Sequence, residues 1–165
     1  MNLPELKIGK LVAQVPIIQG GMAIRLSTAP LAAAVANEGG IGLIAASGMG
    51  LDELRKEIRM ARELTGGKGI IGINAMVAAR QFLDLITTAA EEGIDLIVAG
   101  AGFSRDIFAV GRRYGVEVVP IVSSARLAQT AEKLGASAVV VEGTEAGGHL
   151  GTQQSIKEIQ PEVIE

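Results

Sequence analysis

Cysteine is missing from the 165 residues, and histidine occurs once. The first absence excludes a disulfide framework and a thiolate metal site, and a single imidazole leaves no metal-ligating cluster to expect. Neither sign of charge dominates: 15 basic and 18 acidic residues are spread along the chain for a formal net charge of -3. That balance provides no basic face for nucleic acid and no block of like charge that would mark a tail. Long apolar runs are also lacking. The opening "MNLPELKIGK" has no uninterrupted apolar stretch after its charges, and no later segment is long and apolar enough to span a bilayer. Secretion and membrane insertion are therefore disfavoured, and a reducing cytoplasm is the expected compartment. With 48% hydrophobic and 20% charged residues, the chain can bury one sizeable core, and a single domain over residues 1–165 is expected.

What the chain does have is glycine, 22 residues of it, spaced so as to punctuate a repeating pattern. Apolar runs rich in valine and isoleucine recur at Val15–Ile18, Ile41–Ala46, Ile70–Asn74, Ile94–Ala99, Val116–Val122 and Ser137–Glu142. They read as strands buried on both faces, the mark of a parallel sheet. Helical patterns lie between them. In the clearest, Leu51, Leu54, Ile58, Ala61 and Leu64 share one face at a 3.6-residue period, while Arg55, Glu57, Arg59 and Arg62 take the rest. Gly39, Gly66, Gly93, Gly115 and Gly135 stand where left-handed C-terminal caps are needed, each just before a strand. Thr28 with Pro30, and Ser123 or Ser124, supply N-terminal signals.

Alternating strands and helices with short right-handed connections give either an open doubly wound sheet or a barrel. The positions of the small and polar residues favour the barrel. Gly20 and Gly21, Ser47 and Gly48, Asn74, Gly100 and Gly102, Ser123 and Ser124, and Glu142–Gly151 each follow a proposed strand. In a TIM-type (β/α)8 barrel those ends meet on one rim, where active sites are built. No G-x-G-x-x-G fingerprint opens a helix, as a dinucleotide-binding sheet would require. Glycine on the rim lets backbone approach a flat ligand, and Asn74 can both donate and accept at a heterocycle edge, so a planar cofactor is expected. Taken alone, Gly20 and Gly21 could equally make a tight strand exit, Met22 could fill core, and Asn74 could be a turn residue. The single histidine, His149, lies in "VVVEGTEAGGHLGT", among four glycines directly after a run of valines.

The segments "PIIQGGM" (Pro16–Met22), "AAAVANEGGIGLI" (Ala32–Ile44), "GIN" (Gly72–Asn74) and above all "EGTEAGGHLG" (Glu142–Gly151) resemble the nitronate monooxygenase family. The FMN-dependent enoyl-acyl carrier protein reductases are close relatives of that family. The resemblance covers essentially the whole chain. It implies an FMN-binding TIM barrel in which Gly20, Gly21 and Met22 lie along the flavin, Asn74 hydrogen-bonds it, and Gly147 and Gly148 pass its ring or phosphate side. It further implies that His149 is the active-site base. A nitroalkane has acidic C–H bonds beside its nitro group, and an imidazole of near-neutral pKa can remove such a proton. The implied reaction consumes a nitronate or nitroalkane and dioxygen and yields a carbonyl compound and nitrite, with FMN carrying the redox step. The alternative activity is reduction of an enoyl thioester by NAD(P)H through the same cofactor. Glu142 and Glu145 are read as loop carboxylates, one of which could orient His149, and Ser123 and Ser124 as cap residues.

About six strands can be counted, whereas a complete barrel has eight and about 250 residues. The reading is thus of a barrel truncated after about six βα units, with the FMN phosphate half of the site expected beyond Glu165. A partner chain supplying the C-terminal half, or a homo-oligomer covering the open sheet edges, is the corresponding expectation. A fragment that only packs against a partner, without activity, is the non-enzymatic one.

Overall fold

The computed structural model describes residues 3–23, 25–148 and 151–164; His149 lies outside them. The chain opens with an antiparallel hairpin of β1 (Leu6–Ile8) and β2 (Leu11–Ala13). There follow α1 (Ala29–Asn37), β3 (Ile41–Ala45), α2 (Leu51–Leu64), β4 (Ile70–Met76), α3 (Phe82–Glu91) and β5 (Leu96–Gly100). The rest is α4 (Asp106–Tyr114), β6 (Glu117–Val122), α5 (Ala125–Leu134), β7 (Val140–Val141) and α6 (Ile156–Ile164).

Strands β3 to β7 are parallel and neighbour one another in chain order, β3-β4-β5-β6-β7. That order decides the architecture. A doubly wound sheet reverses its strand order at a switch point, whereas crossovers of one hand that never reverse stack their helices on one face and curl the sheet. The result is a curled half-barrel of the TIM type with its helices outside.

The side chains divide accordingly. Ile44, Ile71, Ile73, Ala75, Ile97, Ala99 and Val118 point outward and pack with Leu54, Ile58, Leu85, Ile86, Ile107 and Phe108 from the helices. Ile41, Leu43, Leu96, Val98 and Val119 point inward and pack with Ile8 and Ala13 of the hairpin. The hairpin therefore stops the end of the half-barrel at which the strands begin. It is tied there by the Lys10 amide, which donates to Glu117 Oε1 at 3.1 Å. Helix α1, alanine-rich on its buried side, lies so close to β3 that a Cβ at Gly42 would come within 1.9 Å of the Ala32 carbonyl oxygen.

All five expected cap glycines have positive φ, from 58° at Gly66 to 94° at Gly135. Ser124 caps α5 by accepting from the Leu127 amide at 3.3 Å. Other expectations need correcting. Thr28 makes no side-chain cap; Pro30 sits in the first turn of α1 as expected, but the Ala29 amide bonds to Glu57 at 2.6 Å. Leu64, in the last turn of α2, is 51% exposed and leaves the buried stripe. The run Ser137–Glu142 yields only the two-residue β7.

The run Val15–Ile18 forms no strand beyond the bridge of Ile18 to Ile41. The outer edge of β3 explains why. Its Ile41 amide donates to the Ile17 carbonyl (2.9 Å), its Leu43 amide to the Gln19 side chain (3.1 Å) and its Ala45 amide to the Ser27 carbonyl (2.9 Å). A loop has taken the strand's bonding role, and the chain turns away toward the rim after Gln19. The hairpin was not expected either, because two three-residue strands around Gly9 are too short to show a period.

A cavity at the strand ends

Inside the half-barrel, alternate residues of β4 face the same way, so Asn74 and Met76 point into the space above the inner core. Asn74 is level with Ala45 of β3 and Val98 of β5. It is half-buried, and its side-chain amide has no hydrogen-bond partner among the described residues. The loop that leaves Gln19 runs directly over it: a Cβ on Gly21 would fall 2.2 Å from the Asn74 Cβ. Only glycine permits that approach without displacing the loop.

Across the mouth stands the segment that follows β7. Gly143 is buried against the start of α6, where a Cβ would meet the Ile156 nitrogen at 2.3 Å. Glu145 Oε2 accepts from the same Ile156 amide at 2.9 Å. That bond first, and then one from its own amide, hold the Glu145 carboxyl below the usual glutamate range. Glu145 is thus occupied in fixing this loop to α6 and does not face the cavity. Gly147 and Gly148 come next, with φ at Gly148 of 98°. A Cβ on either would meet nothing within 4 Å, so their bareness leaves open backbone at the mouth and relieves no crowding there.

These parts enclose a cavity of about 600 Å³ lined by Gly21, Met22, Asn74, Met76, Glu142 and Gly147, with Gly148, Gly100 and Ile121 among the others. Five of the expected cofactor residues, Gly21, Met22, Asn74, Gly147 and Gly148, therefore converge on one space. Gly20 stands just behind, its carbonyl accepting from Ser27 Oγ at 3.1 Å and from the Gln19 amide. A second cavity of about 490 Å³ adjoins the first, sharing Met76, Ala101, Ile121 and Glu142 and adding Phe103, Ser123 and Leu127. Ala101, common to both, has φ of 52°, a left-handed conformation that costs a non-glycine residue about 1–3 kcal/mol and tends to occur at functional sites.

Among the described lining residues of the larger cavity, Glu142 alone is ionisable. The sequence reading left it out because two glutamates near one histidine could not be told apart; the alternation of β7, which turns Val140 inward, places Glu142 inward too. Met76 is reached by the same step of two from Asn74. Gln19 and Ser27 were missed altogether, since neither bears on a ligand directly. No cluster of metal-binding side chains occurs, and no helix is long and apolar enough to cross a membrane, among the described residues.

The fit to a flavin can be judged on this geometry. The space is the right order of size for a cofactor, cavities of this kind running to about 300–1,000 Å³. It also offers on its floor an amide with no partner among the described residues and uncrowded glycine backbone at its wall, which suit a flat heterocycle edged with donors and acceptors.

Comparison with known proteins bears on the same segments. The model of a family described as nitronate monooxygenase matches residues 5–97 and 78–164. An octahydro-1H-indene-4-carboxyl-CoA dehydrogenase of Mycobacterium tuberculosis is 31% identical over 136 residues, covering 82% of this chain and 38% of its own length. FabK of Thermotoga maritima superposes with a TM-score of 0.84 at 36% identity, over 90% of this chain and 46% of that one. A nitroalkane oxidase of Streptomyces ansochromogenes gives 0.81 at 25% identity, over 92% of this chain and 56% of that one. The chain thus spans about half the length of these proteins or less.

Proposed function

Because the chain belongs to the nitronate monooxygenase family, we propose that its rim cavity receives the ring system of FMN and that the protein serves flavin-dependent oxidation of a nitronate or nitroalkane by dioxygen. The observation that carries this reading is the convergence of Gly21, Met22, Asn74, Gly147 and Gly148 on one cavity, with the Asn74 amide unpartnered among the described residues. In this reading residues 1–165 are one FMN-binding domain of the barrel, completed by strands supplied from elsewhere. FMN supplies the electron acceptance that no side chain of this protein can provide.

The chain's own residues bind and orient. Asn74 would hold the flavin edge as donor and acceptor, and the backbone of Gly20–Met22, Gly147 and Gly148 would line its binding space. His149, the next residue in sequence, takes the proton beside the nitro group of a neutral nitroalkane. The nitronate so formed is the electron-rich species to be oxidised, and a carbonyl compound and nitrite are the products. Met76, Ile121 and the apolar wall of the adjoining cavity exclude water from the substrate's carbon chain.

Glu142 favours a second reading. A carboxylate that is the only ionisable described group lining the cavity works against an anionic nitronate and not against a neutral thioester. An FMN-dependent enoyl reductase using NAD(P)H would suit such a site, and one relative is by its name a carboxyl-CoA dehydrogenase. Anaerobic stopped-flow reduction of the flavin-loaded protein separates the two. Bleaching by a nitronate but not by NAD(P)H supports nitronate oxidation; rapid bleaching by NAD(P)H with no response to nitronate transfers the assignment to the reductase. An inactive fragment gives neither.

A further inference from the structure

Ser27 is fully buried, yet it belongs to a loop whose neighbours Leu26 and Met22 are 64% and 46% exposed. A hydroxyl can donate once and accept twice, and here every capacity is used. It accepts from the Met22 amide at 2.8 Å and from Gln19 Nε2 at 2.8 Å, and it donates to the Gly20 carbonyl at 3.1 Å. Gln19 is equally engaged: its amide nitrogen also donates to the Gly20 carbonyl, and its oxygen accepts from the Leu43 amide of β3. The pair grips the backbone on both sides of Gly21 and fastens it to the outer edge of the sheet.

We infer that Gln19, half-buried, and Ser27, fully buried, form a clamp that fixes the Gly20–Met22 backbone over Asn74, and that they are positioning residues for the ligand of the rim cavity. Neither side chain lines that cavity; they act through the loop. A clamp is needed here because the described residues between Gln19 and α1 form no helix or strand, while Gly21 must be held close against Asn74. The ends of this loop are secured to β3 by backbone bonds at Gln19 and Ala45, so removing one side chain should loosen the middle and leave the fold intact. That this ligand is a flavin rests on the function proposed above; the clamp itself does not.

The test uses the whole chain and the variants Ser27→Ala and Gln19→Leu. In the flavin-free protein, amide hydrogen exchange read by NMR should show the Met22 amide exchanging about tenfold faster in Ser27→Ala, the loss of one partly buried bond, with Leu43 unchanged. In Gln19→Leu the Leu43 amide should lose protection as well. FMN added to the same samples should bind about tenfold more weakly to each variant than to the parent, while helix content and melting cooperativity are retained. Unchanged Met22 exchange in Ser27→Ala overturns the clamp. Faster exchange with unchanged FMN affinity overturns its positioning role. A parent protein that binds no FMN under any condition removes the flavin reading, and the exchange data still decide whether the clamp exists. If Ser27→Ala does not fold, the Gln19→Leu exchange and binding data decide in its place.

Discussion

Asn74 and Gly21 meet at the cavity, where a Cβ on the glycine would crowd the asparagine. Gly21→Ala would place a methyl carbon 2.2 Å from the Asn74 Cβ, and such overpacking costs about 1–3 kcal/mol unless the loop retreats. Retreat is the easier course for a largely exposed loop, so the variant should fold and bind FMN roughly tenfold more weakly; fluorescence titration measures it. His149 has a separate signature. In an FMN-loaded form with a whole barrel, His149→Ala should lower turnover on neutral nitroalkanes by about 10²- to 10⁴-fold, the usual worth of a general base. Turnover on preformed nitronates, which have already lost the proton, should fall far less. Equal losses on both substrates would remove the proton-abstracting role.

At the level of elements, legibility followed how local each cause was. Cap glycines such as Gly115 and Gly135 were evident because a left-handed residue after a helix is a local steric demand, and both have positive φ. Asn74, expected just past the end of a strand, instead lies within β4 with Ala75 and Met76 after it, and the strand's period of two is what turns it inward. Val15–Ile18 was misread because its fate depends on Gln19 and Ser27, eight positions apart, taking the bonds of β3 in place of a strand. Leu64 fits the helical stripe by spacing but lies in the last turn of α2, beyond the reach of the sheet.

Glu145 illustrates a local role that sequence could not separate from a catalytic one, since only the fold brings the Ile156 amide to it. Its depressed pKa fixes the sign of the pH effect: the bond stabilises the loop above the pKa of the unfolded chain and is lost as pH falls through the lower folded value. The Ile156 amide resonance should therefore titrate with a midpoint below the usual glutamate range. Glu145→Gln should abolish that titration and leave the shift independent of pH in the acid range.

The whole molecule is a half-barrel, and its order of strands leaves β7 and the Val15–Ile18 segment as the outer members of the sheet. The chain spans about half of the two solved structures it resembles, 46% of one and 56% of the other. We propose that the site is divided in the same way. In the proposed reading the residues gathered here would contact the flavin ring through backbone and one amide, whereas a dianionic phosphate is best held by helix N-terminal amides, which in TIM barrels commonly follow the last two of the eight barrel strands. A segment providing two further βα units, in the same chain or another, would then raise FMN affinity without changing Asn74.

Titration of FMN into the 165-residue chain, followed by flavin fluorescence, tests the central claim most directly, with Asn74→Leu run beside it and with a segment supplying the last two strands of an eight-stranded barrel added. The half-site described here predicts weak, saturable binding by the chain alone, weaker still in Asn74→Leu, and tight binding once the segment is present. Tight one-to-one binding by the isolated chain, or binding that Asn74→Leu leaves unchanged, would contradict it.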